Sequence, residues 1–213
     1  LDETLRLEEI ATQNRDPLKG PLRVGVIYTI APYLLPSLIP VLHQLAPDMP
    51  LFLREDFTAN LLPALKEGEL DVLVLALPVE LPGIVTQKVY EEPFRVVVPA
   101  AHDWASRTAI RNDELEGENL LLLGTGNCFR DQVLEACPSL QRAEGLAGSL
   151  EGSSLETIRH MVASGAGIAV MPSSAADPLV DREPMVKVLP FDTRNTAKSS
   201  KTKPAGEIGR TVG

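Results

Sequence analysis

The 213-residue chain is poor in cysteine and in aromatic residues, with two cysteines and 4% Phe, Trp and Tyr together. Two cysteines are too few for the disulfide framework of a small secreted domain. No apolar run approaches the roughly 18 residues of a membrane-spanning helix. The longest, such as Leu70–Leu77, are strand-sized, and no membrane partner is expected. The opening stretch, Leu1–Asp16, is charged throughout, unlike a secretory signal. Basic residues are outnumbered, 20 against 29, for a net charge of −9. A surface that acidic repels phosphate, so this stretch of chain is a poor nucleic-acid binder by itself. His43, His102 and His160 stand far apart, with no metal-ligand spacing. No Walker loop, HExxH or Ser-His-Asp order is present, and no cofactor is expected. What remains is a globular chain, 44% hydrophobic, expected in the cytoplasm.

The pattern alternates between strand and helix. Leu22–Ile27 reads as a strand and Pro36–Leu45 as a helix opened by a proline. Leu51–Phe57 is a strand, Asn60–Glu67 a helix closed by Gly68, and Leu70–Leu77 a buried strand. A second series runs from Pro93. It comprises strands at Arg95–Pro99, Asn119–Leu123, Ile168–Met171 and Val186–Leu189, with helices over Asn127–Ala136 and Ser153–Ala163. The second helix carries a capping box of Ser153 and Glu156. This is an α/β chain of two lobes, the first with a mostly parallel sheet, expected over residues 21–92 and 93–192 with a cleft between them. Residues 1–20 read as the end of a longer helix. Residues 193–213 are polar and aperiodic, and the expectation there is a disordered or non-native tail.

The chemistry concentrates in one segment, Gly124-Thr125-Gly126-Asn127-Cys128-Phe129-Arg130-Asp131-Gln132-Val133-Leu134-Glu135-Ala136-Cys137-Pro138. A strand runs into a glycine turn and then a helix, so Cys128 falls at the helix start. The dipole and backbone N–H groups there favour an anion, and Arg130 adds a positive charge nearby; both lower a thiol's pKa, and the thiolate is the reactive form. Thr125 and Asn127 supply hydrogen-bonding groups. Cys137 follows nine positions later, a helical separation of roughly 13 Å. A disulfide needs Cα atoms within about 4.4–6.8 Å, so the thiols join only if the helix unwinds. The same residues also suit two packed, inert cysteines. Gly124-Thr125-Gly126 after a strand is not a dinucleotide fingerprint, because position 129 is Phe rather than glycine. Thr29 and Thr58 each follow a strand, where open α/β sheets bind ligands, although a turn or cap role explains either alone.

These residues resemble the redox segment of the OxyR-type, peroxide-sensing branch of the LysR-type transcriptional regulators. The likeness extends over Pro17–Phe191, through Leu18-Lys19-Gly20-Pro21-Leu22, Tyr28–Pro36, Gly68–Asp71 and Ser153–Gly167. It implies a LysR-type effector-binding domain of two periplasmic-binding-protein-like lobes. It implies that Cys128 is the peroxidatic cysteine and Cys137 the resolving one, and that Thr29 and Thr58 line the peroxide pocket with Gly126, Asn127 and Arg130. It further implies a winged helix-turn-helix beyond residues 1–20, through which promoter DNA is bound. Homodimers and homotetramers, RNA polymerase, and re-reduction by thioredoxin or glutaredoxin complete the implied partners. Each activation uses one hydrogen peroxide, so a sensor rather than an enzyme is expected. The alternatives are a LysR-type domain that senses a small organic metabolite between the lobes, with inert cysteines, and a thiol peroxidase. The chain departs from the family at Asn127, where His is usual, and after Phe191.

Overall fold

A computed structural model describes residues 18–77, 82–137, 151–192 and 207–211. The expected linker helix before residue 18 lies outside them. The chain divides into two compact units. The first holds residues 18–75, 82–88 and 207–211; the second holds 76–77, 89–137 and 151–192. The boundary falls at Lys88/Val89 rather than at residue 92, and the first unit takes the chain back at its far end.

In the first unit the sheet order is β2-β1-β3-β10-β4. The strands are β1 (Leu22–Ile27), β2 (Leu51–Asp56), β3 (Val72–Leu75), β4 (Ile84–Lys88) and β10 (Glu207–Thr211). β1 pairs in parallel with β2 and β3. Between the parallel strands run helices α1 (Ala31–Leu45) and α2 (Thr58–Lys66), the crossovers that parallel pairing requires. α2 buries Leu61, Ala64 and Leu65 beneath the sheet and ends at Gly68, whose φ of 73° is the left-handed conformation that closes a helix. α1 begins at Ala31, five residues before the expected start, and runs through both Pro36 and Pro40. Each proline forfeits a backbone hydrogen bond, a cost local propensity alone would not accept. The burial of Ala31 and Leu35 offsets it.

β10 overturns the expectation of an unstructured tail for at least Glu207–Thr211. It lies antiparallel to β3, with Ile208 opposite Val74, and antiparallel to β4, with Ile208 opposite Gln87. Without it, β3 and β4 would each present a row of unpaired backbone groups. The rest of 193–213 lies outside the described residues.

In the second unit the order is β7-β6-β8-β5-β9. Its strands are β5 (Phe94–Pro99), β6 (Leu120–Leu123), β7 (Glu151–Gly152), β8 (Ile168–Pro172) and β9 (Val186–Pro190). β6 pairs in parallel with β7 and β8, while β5 runs antiparallel to β8 and β9. Both sheets are therefore mixed rather than mostly parallel. The helices are α3 (Cys128–Ala136), α4 (Leu155–Ala163), α5 (Ser173–Ala176) and α6 (Leu179–Arg182). α4 buries Leu155, Ile158 and Val162. Its N-cap is Ser154, one residue later than expected; its hydroxyl accepts from the Thr157 N–H at 3.1 Å, and Glu156 pairs with Arg159 instead of closing a capping box.

Candidate functional site

β6 is buried along its whole length and points its C-terminal end at the glycine turn. Gly126 sits at φ 92°, a conformation costly for any residue with a Cβ, and so turns the chain into α3. Asn127 occupies the N-cap position and is buried. Its side chain does not cap the helix. Nδ2 donates to the Gly124 carbonyl at 3.0 Å, which closes the turn on itself. The first N–H groups of α3 thus have no cap from the N-cap side chain. Cys128 is the first residue of the helix and is partly exposed.

Arg130 differs from the sequence expectation. Its guanidinium donates to the Leu123 carbonyl at 2.8 Å and to Glu151 Oε1 at 2.6 Å. Its charge is neutralised by a carboxylate on β7, so it acts first as a brace between α3 and the sheet and less as a field on the thiol. Glu151, 21 residues away, had no local signal in the sequence.

α3 runs unbroken from Cys128 to Ala136, and Cys137 is its C-cap. The two cysteines are not joined in a disulfide. Nine residue steps of helix hold their Cα atoms about 13 Å apart, well beyond disulfide reach. Cys137 is 1% exposed, and burial pushes its thiol pKa up to about 12. Its backbone N–H donates to the Val133 carbonyl at 3.0 Å. The helix body is anchored by Phe129, whose ring meets that of Phe94 edge-on at 5.2 Å, and by the buried Val133. Gln132 Nε2 donates to the Leu77 carbonyl at 3.2 Å, while its Oε1 is buried without a hydrogen-bond partner among the described residues.

Thr29 and Thr58 belong to the first unit and are brought side by side. β1 and β2 are in register with Ile27 opposite Asp56, and each threonine stands two residues beyond its member of that pair. Thr29 is buried just ahead of α1, and Thr58 opens α2. The rings of Tyr28 and Phe57 lock the two turns together, edge-on at 5.2 Å. Asp56 firms the start of α2, its Oδ1 accepting from the Phe57 N–H and from Asn60 Nδ2, both at 2.8 Å. The Asn60 amide foremost, then the Phe57 N–H, holds this carboxyl below its ordinary pKa. Among the described residues no group of three or more His, Cys, Asp or Glu side chains could hold a metal ion. No described helix is long and apolar enough to cross a membrane.

Residues 15–197 match the LysR substrate binding domain. The chain belongs to that family. It is 38% identical over 186 residues to the DNA-binding transcriptional dual regulator OxyR of Escherichia coli K12, covering 87% of this chain and 60% of that protein. It thus spans about three-fifths of the length of the curated relatives it matches. Among solved structures it resembles the reduced OxyR regulatory domain of Pseudomonas aeruginosa, at 45% identity and a TM-score of 0.78 over 92% of this chain and 88% of that one. A cysteine-to-serine mutant of Corynebacterium glutamicum OxyR, solved with hydrogen peroxide bound, matches at 32% identity and a TM-score of 0.84, over 99% and 66% of the two chains. The family carries the periplasmic-binding-protein-like α/β fold that the resemblance implied.

Proposed function

We propose that this chain is the redox-sensing regulatory domain of a hydrogen peroxide-responsive LysR-type transcription regulator. The observation that carries the reading is a pair of unjoined thiols at opposite ends of one intact helix, one partly exposed at a glycine turn and the other buried. The Cys128 thiolate attacks one peroxide oxygen, the O–O bond breaks, and hydroxide leaves, giving a sulfenic acid. The Cys137 thiol then attacks that sulfur; water leaves and the disulfide closes. Closure requires α3 to come apart, because 13 Å must shrink to about 6 Å. The chemical change at one sulfur thereby becomes a change of backbone. Gly126 and Asn127 are the peroxide-binding residues of the second unit in this reading, with Arg130 holding the start of α3 in place; Thr29 and Thr58 are those of the first unit.

The bound peroxide of the C. glutamicum relative supports the choice of oxidant. The E. coli relative's description as a DNA-binding transcriptional regulator supports promoter DNA as a partner, reached through a segment outside this chain, and RNA polymerase with it. Exposed Val41 and Leu45 on α1, and Phe52 and Leu53 on the edge strand β2, are apolar positions that a second copy would cover in homodimers and homotetramers. Resetting consumes two electrons from a dithiol such as thioredoxin or glutaredoxin in the cytoplasm. One peroxide is used per activation, so the domain is a switch rather than a turnover catalyst.

The test is thiol counting with mass spectrometry on the reduced chain. Modest peroxide is expected to remove both thiols and link the Cys128 and Cys137 peptides. Cys128→Ser abolishes the response, and Cys137→Ser stops at the sulfenic acid. Two intact thiols under peroxide that oxidises a control dithiol would overturn the reading and point to a metabolite-sensing domain.

A further inference from the structure

The C-terminal end of α3 is held from outside the helix. Asn112 Nδ2 donates to the Ala136 carbonyl at 2.9 Å, across 24 residues of sequence. Ala136 is the last residue of α3, and its carbonyl is one of those a helix cannot satisfy internally. The group it meets stands on a fixed platform. Asn112 opens a short 3-10 turn, Asn112–Leu115, in which Leu115 is fully buried. Ile110, two residues earlier, is also fully buried and clamped to the β9 end of the sheet. Its N–H donates to the Pro190 carbonyl at 3.0 Å, and its carbonyl accepts from the Asp192 N–H at 2.9 Å. Glu114 braces the turn, accepting from the Arg111 N–H at 2.8 Å and from Arg107 at 2.7 Å. The bond therefore joins a rigid support to the residue beside Cys137.

We infer that Asn112 is a latch on the second chemical step, holding Cys137 in place until Cys128 has been oxidised. The inference rests on the redox reading above. The closing step joins Cys128–SOH and Cys137–SH into a disulfide, with the thiol proton leaving in water alongside the sulfenyl hydroxyl. It cannot begin until Cys137 leaves its C-cap seat, and the Ala136 carbonyl must leave with it. Asn112 touches neither sulfur and neither reacting oxygen, so it is a positioning residue. It sets the lifetime of the sulfenic acid, the interval in which another thiol or reductant can intercept the signal.

The experiment resolves the two steps in the reduced chain by rapid mixing with hydrogen peroxide, quenching with a sulfenic-acid-selective trap, and mass spectrometry of the Cys128 and Cys137 peptides. Asn112→Ala is expected to speed disulfide closure about three- to tenfold, the effect of removing one such hydrogen bond, while leaving the peroxide-dependent first step unchanged. Asn112→Asp, nearly the same in shape but with no proton to donate, is expected to speed closure at least as much, and guards against a fold lost in the first variant. Equal closure rates in wild type and both variants, or slower closure in the variants, overturns the latch. Failure of peroxide to oxidise Cys128 in the wild type overturns the redox reading itself, a separate outcome.

Discussion

The two ends of α3 set their cysteines in different surroundings. At the N-terminal end a left-handed glycine turn, an N-cap amide that bonds its own turn and a partly exposed sulfur make an open, anion-favouring site. At the C-terminal end the sulfur is 1% exposed, its carbonyl neighbour is tied to Asn112, and its pKa is pushed up to about 12. One helix thus carries one accessible cysteine and one shielded cysteine. In the proposed two-step oxidation this difference would impose the order: the second thiol gains reactivity only by leaving the environment that suppresses it.

The sharpest way to break that contrast is alkylation. At pH 8 a thiol with a pKa near 12 is ionised in about one molecule in ten thousand, and Cys137 is shielded besides. Iodoacetamide on the native reduced chain is expected to label Cys128 at least about a hundredfold faster than Cys137. Unfolding in denaturant should equalise them. The sign with pH follows from the raised pKa. A thiol whose folded pKa lies above its ordinary value near 9 stabilises the helix end fully below pH 9, and that stability drains away as pH rises toward 12. Cys137 labelling should therefore climb more steeply than thiolate formation alone as pH passes 9. Equal labelling at pH 8 would remove the asymmetry on which the ordered mechanism depends.

A second intervention acts on the middle of the helix. Phe129 is buried against Phe94, and opening the whole of α3 would expose it. Phe129→Ala is expected to cost the reduced fold about 3 kcal/mol, since a large ring leaves a cavity behind. The oxidised form, if its helix is already open, should lose much less. Thermal melts of the reduced and disulfide forms would measure both, and equal losses would show that Phe129 stays seated after oxidation.

Much of this site was legible in the sequence because its logic is local. A glycine turn, a helix-start cysteine and a second cysteine nine residues on are all properties of one 15-residue stretch, and α3 lies within one residue of the expected span. The threonine turns were legible for the same reason, each following its strand. What stayed hidden is carried by long-range partners. Arg130 read as a charge beside Cys128, but Glu151 claims it from β7; Asn112 and Leu77 reach α3 from 24 and 55 residues away. β4 was missed because Ile84–Lys88 is short and mostly exposed, and β10 because its pairing is set by the two strands flanking it rather than by its own composition. The prolines of α1 misled in the opposite direction, a local rule overridden by packing.

The smallest expected effect tests whether α3 also carries a cost that favours its opening. Gln132 Oε1 is buried with no hydrogen-bond partner among the described residues, while Nε2 of the same amide is held at 3.2 Å by the Leu77 carbonyl. An unmet buried acceptor costs about 1–3 kcal/mol, and the amide's one long hydrogen bond returns about 0.5–1.5 kcal/mol. Gln132→Met keeps the length of the side chain and removes both terms. The balance favours the variant by about 1 kcal/mol in the reduced fold, a rise in Tm of about 2–4 °C for a chain of this size. Because the helix must open to form the disulfide, the same gain should move the thiol–disulfide equilibrium about fivefold toward the dithiol in a glutathione buffer, the opposite direction to Phe129→Ala. A lower Tm would mean that the Leu77 contact outweighs the orphaned oxygen. A higher Tm with no shift in the redox equilibrium would mean that Gln132 keeps its surroundings in both forms, and that opening is confined to the end of α3 beside Cys137.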